Sequence, residues 1–278
     1  MLETRNYVPS AALAPFVRRH YIFRADLPAE FELVDRIFPE TAFIRLLIAG
    51  DWAAKMLDGT WAQFGPCPLV GPCSRPLCVR VRGGFVVVGV SLRPGGWPSL
   101  FREPASHISD RVVPMDEIWG EEAIRLHQAI GQVSGQDGAI VSIVEAALLA
   151  RIAALGDTQP SQPMLSFEAF VQRDCTVRVS EAADRLGLSV RQLERHCHAT
   201  FGHAPKMVLR RARFLDMAQA LRGFGCPSQE HLAALGYIDQ SHRNREFRHF
   251  FGMTAGKFEK AVTPLFTAGL KLRSEGLY

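Results

Sequence analysis

The chain has 278 residues, 47% of them hydrophobic and 22% charged, so it is long enough for two domains and can bury a sizeable core. Its net charge is +4, and its six cysteines form no Cys-x-x-Cys pair, which argues against a disulfide scaffold. No apolar run reaches the roughly 18 to 20 residues of a membrane helix, and the first residues lack a signal-peptide pattern, so we expect a cytoplasmic protein with no membrane partner.

The first elements along the chain are predicted to be β-strands. The segments FIRLLIAG, PLCVRVRG and GFVVVGVSL, at 43–50, 76–83 and 84–92, are rich in β-branched and aromatic residues and lie between Gly and Pro clusters. Two helical patterns follow at about 116–133 and 138–155, the second strongly apolar. The sequence therefore predicts a β-barrel or sandwich with a helical pair, one face of which packs on the sheet while another meets a second subunit.

Residues 1–160 lack the patterns of an enzyme or a metal site. His20, His107 and His127 are far apart, whereas cupin enzymes group their histidines in a His-x-His pattern. No Gly-x-Ser-x-Gly, Walker A or dinucleotide-binding motif occurs. We expect no enzyme activity, no catalytic residue, no metal and no cofactor. An enzyme built on this β domain stays an alternative, which a cluster of titratable side chains in its pocket would support.

A second alternative is a redox-sensing repressor. It would use Cys67, Cys73 or Cys78, provided that one of these thiols is exposed beside basic groups. Small buried hydrophobes near strands are the commoner role of such residues. The four tryptophans are candidates for lining a small-molecule pocket or for the core: Trp52, Trp61, Trp97 and Trp119.

The stretch GDTQPSQP at 156–163 predicts a linker, because it is rich in Gly, Pro, Ser and Gln. The net charge also differs between the two sides of this stretch. Residues 1–160 hold 15 Lys and Arg against 17 Asp and Glu, a net of −2, whereas the remainder holds 17 against 11, a net of +6. A basic second half is compatible with a polyanionic partner and equally with a solvated surface.

Two helices separated by a tight turn are predicted at VSEAADRLGLSVRQLERHCHATFG. Gly187 breaks the first helix, and Ser189 is placed to cap the second. Spacings of three and four put a hydrophobic stripe on one face of the second helix and long polar side chains of the kinds that reach phosphates and base edges on the other. The stripe is Val190, Leu193, Cys197 and Phe201; the first outward row is Arg191, Gln192, Glu194, Arg195 and His198.

The pattern returns 50 residues later in EHLAALGYIDQSHRNREFRHFFG. Leu232, Ala233 and Leu235 lie on its first predicted helix, with Gly236 at the turn and Asp239 at the cap position. Between the copies, Pro205 and Gly223 bound a predicted helix from about 205 to 222, which would separate the copies by roughly one turn of B-DNA. The repeat indicates two helix-turn-helix units. The second outward row is Gln240, Ser241, His242, Asn244, Arg245 and Arg248.

Residues 164–262 resemble the DNA-binding domain of the AraC/XylS family of bacterial transcription regulators. The matching residues are Ser189, Leu193 and Arg195, the segments Phe201-Gly202-x-x-Pro205 and Arg213-Phe214, and the run Gly236-Tyr237-x-Asp239-Gln240-Ser241 followed by Arg245, Phe247 and Phe251-Gly252. Two positions depart from the family pattern: Arg243 replaces an apolar residue and Ala255 a proline. The order LVGPCSRPL, VGVSLRPGGWPSLF and ISDRVVPMDEIWG is similar to the cupin-like sensory region of one branch of the family.

The resemblance implies an α+β two-domain fold, with an N-terminal cupin-like β-barrel and helical pair and a C-terminal all-α domain of seven helices. The expected boundaries are 1–158 for a sensory and dimerisation domain, 159–163 for a linker, 164–262 for the DNA-binding domain and 263–278 for a tail. Base contacts would come from Arg191, Glu194 and Arg195 in the first unit and from Gln240, Ser241, His242, Asn244 and Arg245 in the second.

The sequence thus predicts a sequence-specific regulator of transcription that binds double-stranded DNA and responds to an effector through its N-terminal domain. A homodimer, a contact with RNA polymerase and a small-molecule effector are the further expected partners. The candidate DNA-binding residues are Ser189 together with both outward rows. The sequence points to no particular effector-binding residue.

Overall fold

The computed structural model describes residues 2–38, 40–56, 58–156, 158–224, 233, 235–237 and 239–276. An antiparallel sheet forms the N-terminal part and helices form the C-terminal part. The described residues form eight strands: β1 (Leu2–Tyr7), β2 (Val17–Ala25), β3 (Glu32–Ile37), β4 (Phe43–Lys55), β5 (Trp61–Ala62), β6 (Pro68–Val70), β7 (Leu77–Leu92) and β8 (Val112–Pro114).

The sheet is open and not a closed barrel. Its strand order is β1-β2-β7-β4-β6-β8, with β3 paired to β7 and β5 to β4, and the described strands β1 and β8 do not pair with each other. The expected barrel is therefore wrong in this respect, although the two-domain α+β class is confirmed. Strand β4 shifts register twice against β7 between Leu47 and Asp51, where Gly50 has a φ of 98°, and irregularities of this kind bend a strand locally.

Strand β7 corrects a second expectation. The segments 76–83 and 84–92, predicted as two strands, form one strand of 16 residues. Its first half pairs with β3 and its second half with β2, while β4 runs along the opposite edge of both halves. Gly83 has a φ of 61°, a conformation that glycine adopts readily, and it lies within this single strand at the point where the sequence suggested a break.

Helices cover one face of this sheet. After two short 3₁₀ turns at 94–96 and 105–108, interrupted by α1 (Trp97–Leu100), come α2 (Asp116–Trp119), α3 (Glu121–Gln132) and α4 (Asp137–Ala154). The predicted pattern at 116–133 is thus split at Gly120, whose φ is 63°. Residues at alternate positions of the strands, such as Ile44, Leu46 and Val88, pack under α3 and α4.

The described C-terminal helices are α5 (Gln162–Arg173), α6 (Val179–Arg185), α7 (Val190–Thr200), α8 (Pro205–Leu221), α9 (Gln240–Phe251), α10 (Ala255–Lys260) and α11 (Pro264–Ser274). The connecting helix expected at 205–222 is confirmed as α8. Of the first helix expected in the second unit, Leu232 lies outside the described residues; Ala233 is exposed and Leu235 is buried. Helix α11 occupies most of the segment that the sequence suggested as a tail.

The two parts share a core. Phe38, just after β3, lies 5.8 Å from the ring of Phe214 on α8 and 5.9 Å from that of Phe250 on α9. Cys73 belongs to the same cluster of buried residues. Within the described ranges, no helix is both long enough and apolar enough to cross a membrane.

Candidate DNA interface and interdomain cavity

Helix α7 begins with a reciprocal pair of capping bonds. The hydroxyl of Ser189 accepts a hydrogen bond from the backbone N–H of Gln192 at 3.2 Å, and the side-chain oxygen of Gln192 accepts one from the backbone N–H of Ser189 at 2.9 Å. Two of the N–H groups that a helix start leaves unpaired are thereby satisfied. The cap predicted at Ser189 is confirmed, and it fixes the orientation of the helix that follows.

The two faces of α7 divide largely as the spacing predicted. Leu193, Cys197 and Phe201 are buried in the core of the helical domain. Val190, expected on the same stripe, is 40% exposed, because it lies in the first turn, beyond the edge of the core. Every member of the first outward row is exposed, as is Ser189. The row forms a continuous polar surface: Arg191, Gln192, Glu194, Arg195 and His198.

Helix α9 repeats this arrangement with differences. The Asp239 carboxylate accepts a hydrogen bond from the backbone N–H of His242 at 2.6 Å, which confirms the second predicted cap. In the second outward row, Gln240, Ser241, Arg245 and Arg248 are exposed, whereas His242 and Asn244 are half-buried.

The two departures from the family pattern both have a structural counterpart. The backbone N–H of Ala255, at the first position of α10, donates to the side-chain oxygen of Asn244 at 3.1 Å; a proline there has no N–H to donate. Arg243 lies on the side of α9 that carries the buried Phe247 and Phe250. Its Nε is buried and has no hydrogen-bond partner among the described residues.

Helix α8 connects the two units and also contacts the sheet domain. Arg210 pairs with Glu246 of α9 through two bonds of 2.8 and 2.7 Å. Burial alone would raise the pKa of Glu246, but the Arg210 guanidinium holds it below its usual value. On the next position, Arg211 is 1% exposed and donates to the backbone oxygens of Cys73, at 2.7 Å, and of Glu40. A single helix is thus fixed to both α9 and the N-terminal domain.

The turn between α7 and α8 makes further contacts with the N-terminal domain. Ser109 donates a hydrogen bond to the backbone oxygen of Gly202 at 2.8 Å, and the His203 ring lies 3.1 Å from the backbone oxygen of Pro72. Burial lowers the pKa of His203. The first helix-turn-helix unit is therefore docked on the sheet domain by the end of α7 opposite to its cap.

Helix α11 is held between the two domains. At its start, the Asp35 carboxylate of β3 accepts from the backbone N–H of Leu265 at 2.6 Å, as carboxylates do at helix N-termini. Near its end, Arg273 is ion-paired with Glu40 of the sheet domain and, at 2.7 Å, with Asp216 of α8. Helix α11 is thus bonded to the sheet domain at both ends and to α8 near its C-terminal end.

A cavity of about 160 Å³ lies between the free face of the sheet and α11. Its walls are mostly apolar, and the strand residues that line it alternate with those that pack under α3 and α4. The lining from the strands includes Tyr21, Phe23, Phe43, Trp52, Val81, Phe85 and Val87, and that from α11 includes Leu265, Phe266, Gly269 and Leu270.

The charged groups of the lining are all arginines. Arg19, Arg45 and Arg273 contribute to the described wall, and no Asp, Glu, His or Cys does so. Arg273 is neutralised by its two carboxylate partners. The Arg45 guanidinium carbon lies 5.3 Å from the ring centroids of both Phe43 and Trp52, and its buried Nε has no hydrogen-bond partner within the described part of the chain.

Two of the three cysteines named for the redox alternative, Cys67 and Cys73, do not meet its requirement of exposure. Cys67 and Cys73 are buried, and burial raises the pKa of each thiol to about 12, so neither is a thiolate at neutral pH. Cys78 is partly exposed on β7, and Cys226 lies outside the described residues. The redox-sensing repressor is therefore unsupported.

The histidines singled out in the first 160 residues lie apart. His20 is buried against Glu145 of α4 at 3.2 Å, His107 faces Glu103 in an exposed pair, and His127 contacts the backbone oxygen of Leu47. Among the described residues, no group of three His, Cys, Asp or Glu side chains is arranged to hold a metal. Neither these positions nor the cavity lining supports the enzyme alternative.

The tryptophans take different roles. Trp97 stacks on Phe101 with ring centroids 4.0 Å apart, and the ring of Trp119 lies 5.9 Å from that of Phe101. Trp61 stacks with Arg80, and Trp52 alone of the four lines the cavity.

Sequence reasoning missed Arg45 and α11. A lone arginine inside the apolar run FIRLLIAG is a detectable signal, since a charge in a half-buried strand needs a reason. For α11, Pro264 followed by apolar residues at 265, 266, 270 and 272 was a detectable helical pattern.

Two family models match parts of this chain. A family model described as "Helix-turn-helix domain" matches residues 182–261, and another described as "Domain of unknown function (DUF6597)" matches residues 5–114. A comparison with curated protein sequences gives no match.

Among solved structures, ToxT from Vibrio cholerae is 10% identical to this chain, with a TM-score of 0.45 and coverage of 93% of this chain and 98% of ToxT. Unsaturated fatty acid bound ToxT from Vibrio cholerae is 9% identical, with a TM-score of 0.45 and coverage of 89% and 97%. The AraC-like transcriptional activator CuxR is 13% identical, with a TM-score of 0.29 and coverage of 79% and 96%.

Proposed function

Because the C-terminal part of the chain is an AraC-type helix-turn-helix domain, we propose that the protein is a sequence-specific regulator of transcription that reads DNA with α7 and α9. The observation that carries the proposal is the pair of capped helices, both in contact with α8, of which α7 carries an exposed polar row and α9 a largely exposed one. Arginine, glutamine and asparagine side chains are the usual readers of base edges in the major groove. The expected base readers are Arg191, Glu194 and Arg195 on α7 and Gln240, Ser241, His242, Asn244 and Arg245 on α9.

The members of the second outward row are not equally available. Gln240, Ser241 and Arg245 are exposed, whereas the side-chain oxygen of Asn244 is engaged by the Ala255 N–H. Arg245 is therefore a stronger candidate than Asn244 for a base-specific contact on α9. Arg195 occupies the position on α7 that corresponds to Arg245. Arg248 and His198 lie one turn further along their helices, where contacts to phosphates are expected.

The first prediction tests this assignment. Arg195→Ala and Arg245→Ala should each weaken binding to the specific site by about 1 to 3 kcal/mol and relax base preference at one position, because a bidentate contact to guanine is lost. The operator is first identified by genome-wide capture of bound DNA fragments. Fluorescence anisotropy then measures the affinity of each variant for the operator and for random DNA. Binding to the operator should also fall steeply with salt, since phosphate contacts release counterions.

Arg185→Ala is the matched control, since Arg185 is exposed on α6, paired with Glu181, and outside both rows. It should change operator binding little. Equal losses on operator and random DNA in the two test variants would contradict base reading and assign both arginines to phosphates.

We propose further that the N-terminal domain is effector-responsive and that the effector occupies the cavity under α11. An apolar cavity with a few polar groups is the usual form of a small-molecule site. One of its walls is α11, and Arg273 of this helix is ion-paired with Asp216 of α8, the helix that connects the two helix-turn-helix units. A ligand in the cavity would thus contact an element fastened to the DNA-reading domain.

The remaining expectations stay predictions. They are the homodimer, the contact with RNA polymerase, the cytoplasmic location and the boundaries at 158, 164 and 262. For self-association, the relevant surface is the outward side of α4, where Leu149 is 40% exposed among alanines.

A further inference from the structure

We propose that the cavity between the sheet and α11 binds a small monoanionic organic acid, with its apolar body against the aromatic wall and its carboxylate on Arg45. This inference rests on the proposed effector site and adds the chemical class of the ligand. Arg45 is the residue that decides this class.

The charged side chains that line the cavity are all positive. In the described lining every ionised group is a guanidinium, and no acidic side chain faces the cavity. The positive charge of Arg273 is already balanced by Glu40 and Asp216. Arg45 forms no ion pair with any described residue, and its guanidinium carbon lies 5.3 Å from the ring centroids of Phe43 and Trp52. An arginine with an apolar surround and no acidic partner is electrostatically suited to an anion.

The geometry of Arg45 selects a carboxylate among anions. Residues 43, 45 and 47 of β4 share the face opposite to the one under α3 and α4, so the side chain leaves a rigid strand toward the cavity. Contact with two rings restricts the guanidinium and leaves its planar edge available to two oxygens. Such a bidentate, charge-assisted pair is among the stronger hydrogen-bonded contacts in proteins.

The size and lining of the cavity limit the apolar body. A volume of about 160 Å³ is similar to that of engineered apolar cavities that hold benzene. Phe23, Phe85 and Phe266 supply aromatic surface on opposite walls. The best match is a body the size of one ring, carrying a carboxylate on a short arm.

Phenylacetate and phenylacetamide are matched probes, because they have nearly the same shape and differ in charge. Each should be titrated into the full-length protein by calorimetry and by tryptophan fluorescence, which Trp52 reports from the cavity wall. Phenylacetate should bind about tenfold more tightly than the amide, since one charge-assisted pair is worth that factor or more. Trp52→Phe should remove the fluorescence change and keep the calorimetric signal.

Arg45→Gln should abolish the preference for the acid, and Arg45→Lys should retain part of it. Both variants should fold, because Arg45 makes no hydrogen bond to a described residue that the substitution would break; circular dichroism checks this. Arg80→Gln is the control, as Arg80 also stacks on a tryptophan of the same sheet, at 4.8 Å from the Trp61 ring, but lies outside the cavity. It should leave the preference unchanged.

Equal affinity for acid and amide, binding of neither probe by the folded protein, or a preference that survives in Arg45→Gln would each overturn the proposal. None of these three outcomes would bear on the proposed DNA-binding function, which has its own test. Operator binding by the protein without any probe tests DNA reading alone. An effect of phenylacetate on operator affinity that is absent in Arg45→Gln would support the link between the site and regulation.

Discussion

Single arginines in this protein differ in function because their partners differ. Arg273 and Arg45 line the same cavity, yet Arg273 lies between two carboxylates that raise its pKa against the effect of burial, whereas Arg45 rests on aromatic rings. The first arginine therefore fixes α11 in place, and the second is available to a ligand. Residue type and position in the sequence do not distinguish these two roles.

Arg243 is the residue at which local sequence and packing conflict. It takes the place in α9 that Leu193 takes in α7, on the side of the buried Phe247 and Phe250. Its Nε is buried without a hydrogen-bond partner in the described structure. Desolvating this group opposes folding, while the stem of the side chain covers apolar surface.

Replacing Arg243 with an apolar residue tests this conflict. Arg243→Leu should raise the free energy of unfolding by about 1 kcal/mol, because it replaces a partly desolvated charge with an apolar side chain. Urea denaturation of the full-length protein measures the change. Arg248→Leu, on an exposed position of the same helix, should give no gain. A loss of stability in Arg243→Leu would show that the arginine makes a stabilising contact.

At the scale of the element, the recognition helices are specified by their caps and by the spacing of their apolar residues. Ser189 and Asp239 each accept a hydrogen bond from the N–H three residues later, and both helices follow a turn at a glycine with positive φ, Gly187 and Gly236. These signals act over a few residues, so they are readable from sequence. They determine where each helix starts and hence which side chains face outward.

Removing the first cap should be measurable without DNA. Ser189→Ala should lower the free energy of unfolding by about 1 kcal/mol, because the Gln192 N–H loses its acceptor. Ser180→Ala is the comparison: Ser180 is exposed within α6, and alanine favours a helix there. Thermal denaturation of both variants distinguishes the two effects. Similar values for the two would mean that the capping box contributes little in solution.

At the scale of the whole molecule, the two domains form one continuous structure. Phe38 of the sheet domain enters the aromatic cluster of the helical domain, and Asp35, Glu40 and Cys73 bind groups of α8 or α11 through hydrogen bonds or ion pairs. The exposed rows of α7 and α9 lie outside these contacts. A conformational change in the sheet domain would therefore act directly on α8, the helix that connects the two helix-turn-helix units.

The last prediction tests this interface. Arg211→Met should lower the free energy of unfolding by about 3 kcal/mol, because two charge-assisted bonds to backbone oxygens of the sheet domain are lost in a buried site. Urea denaturation gives the value, and limited proteolysis should cut the variant faster. Arg185→Met removes an exposed pair with Glu181 and should change stability by less than about 1 kcal/mol. Unchanged stability in Arg211→Met would indicate that the domains separate in solution.

The sequence by itself determined the two-domain α+β class, both caps, the connecting helix, the exposed first row and four exposed members of the second row. All of these depend on contacts between residues a few positions apart, whose periodicity is visible in the chain. It did not determine the strand count, because Gly83 permits a bend within β7 where a break was expected. Nor did it predict the exposure of Val190, which depends on where the core of the domain ends.

Three features were decided only by the tertiary structure: the presence of the cavity, the lack of an ion pair at Arg45 among the described residues, and the position of α11 between the two domains. These features depend on pairs that are remote in sequence, such as Asp35 with Leu265, 230 positions apart, and Glu40 with Arg273. Whether an arginine in a strand is neutralised or left for a ligand depends on which distant carboxylates reach it. No local pattern encodes that outcome, since it is set when the last helix docks between the sheet and α8.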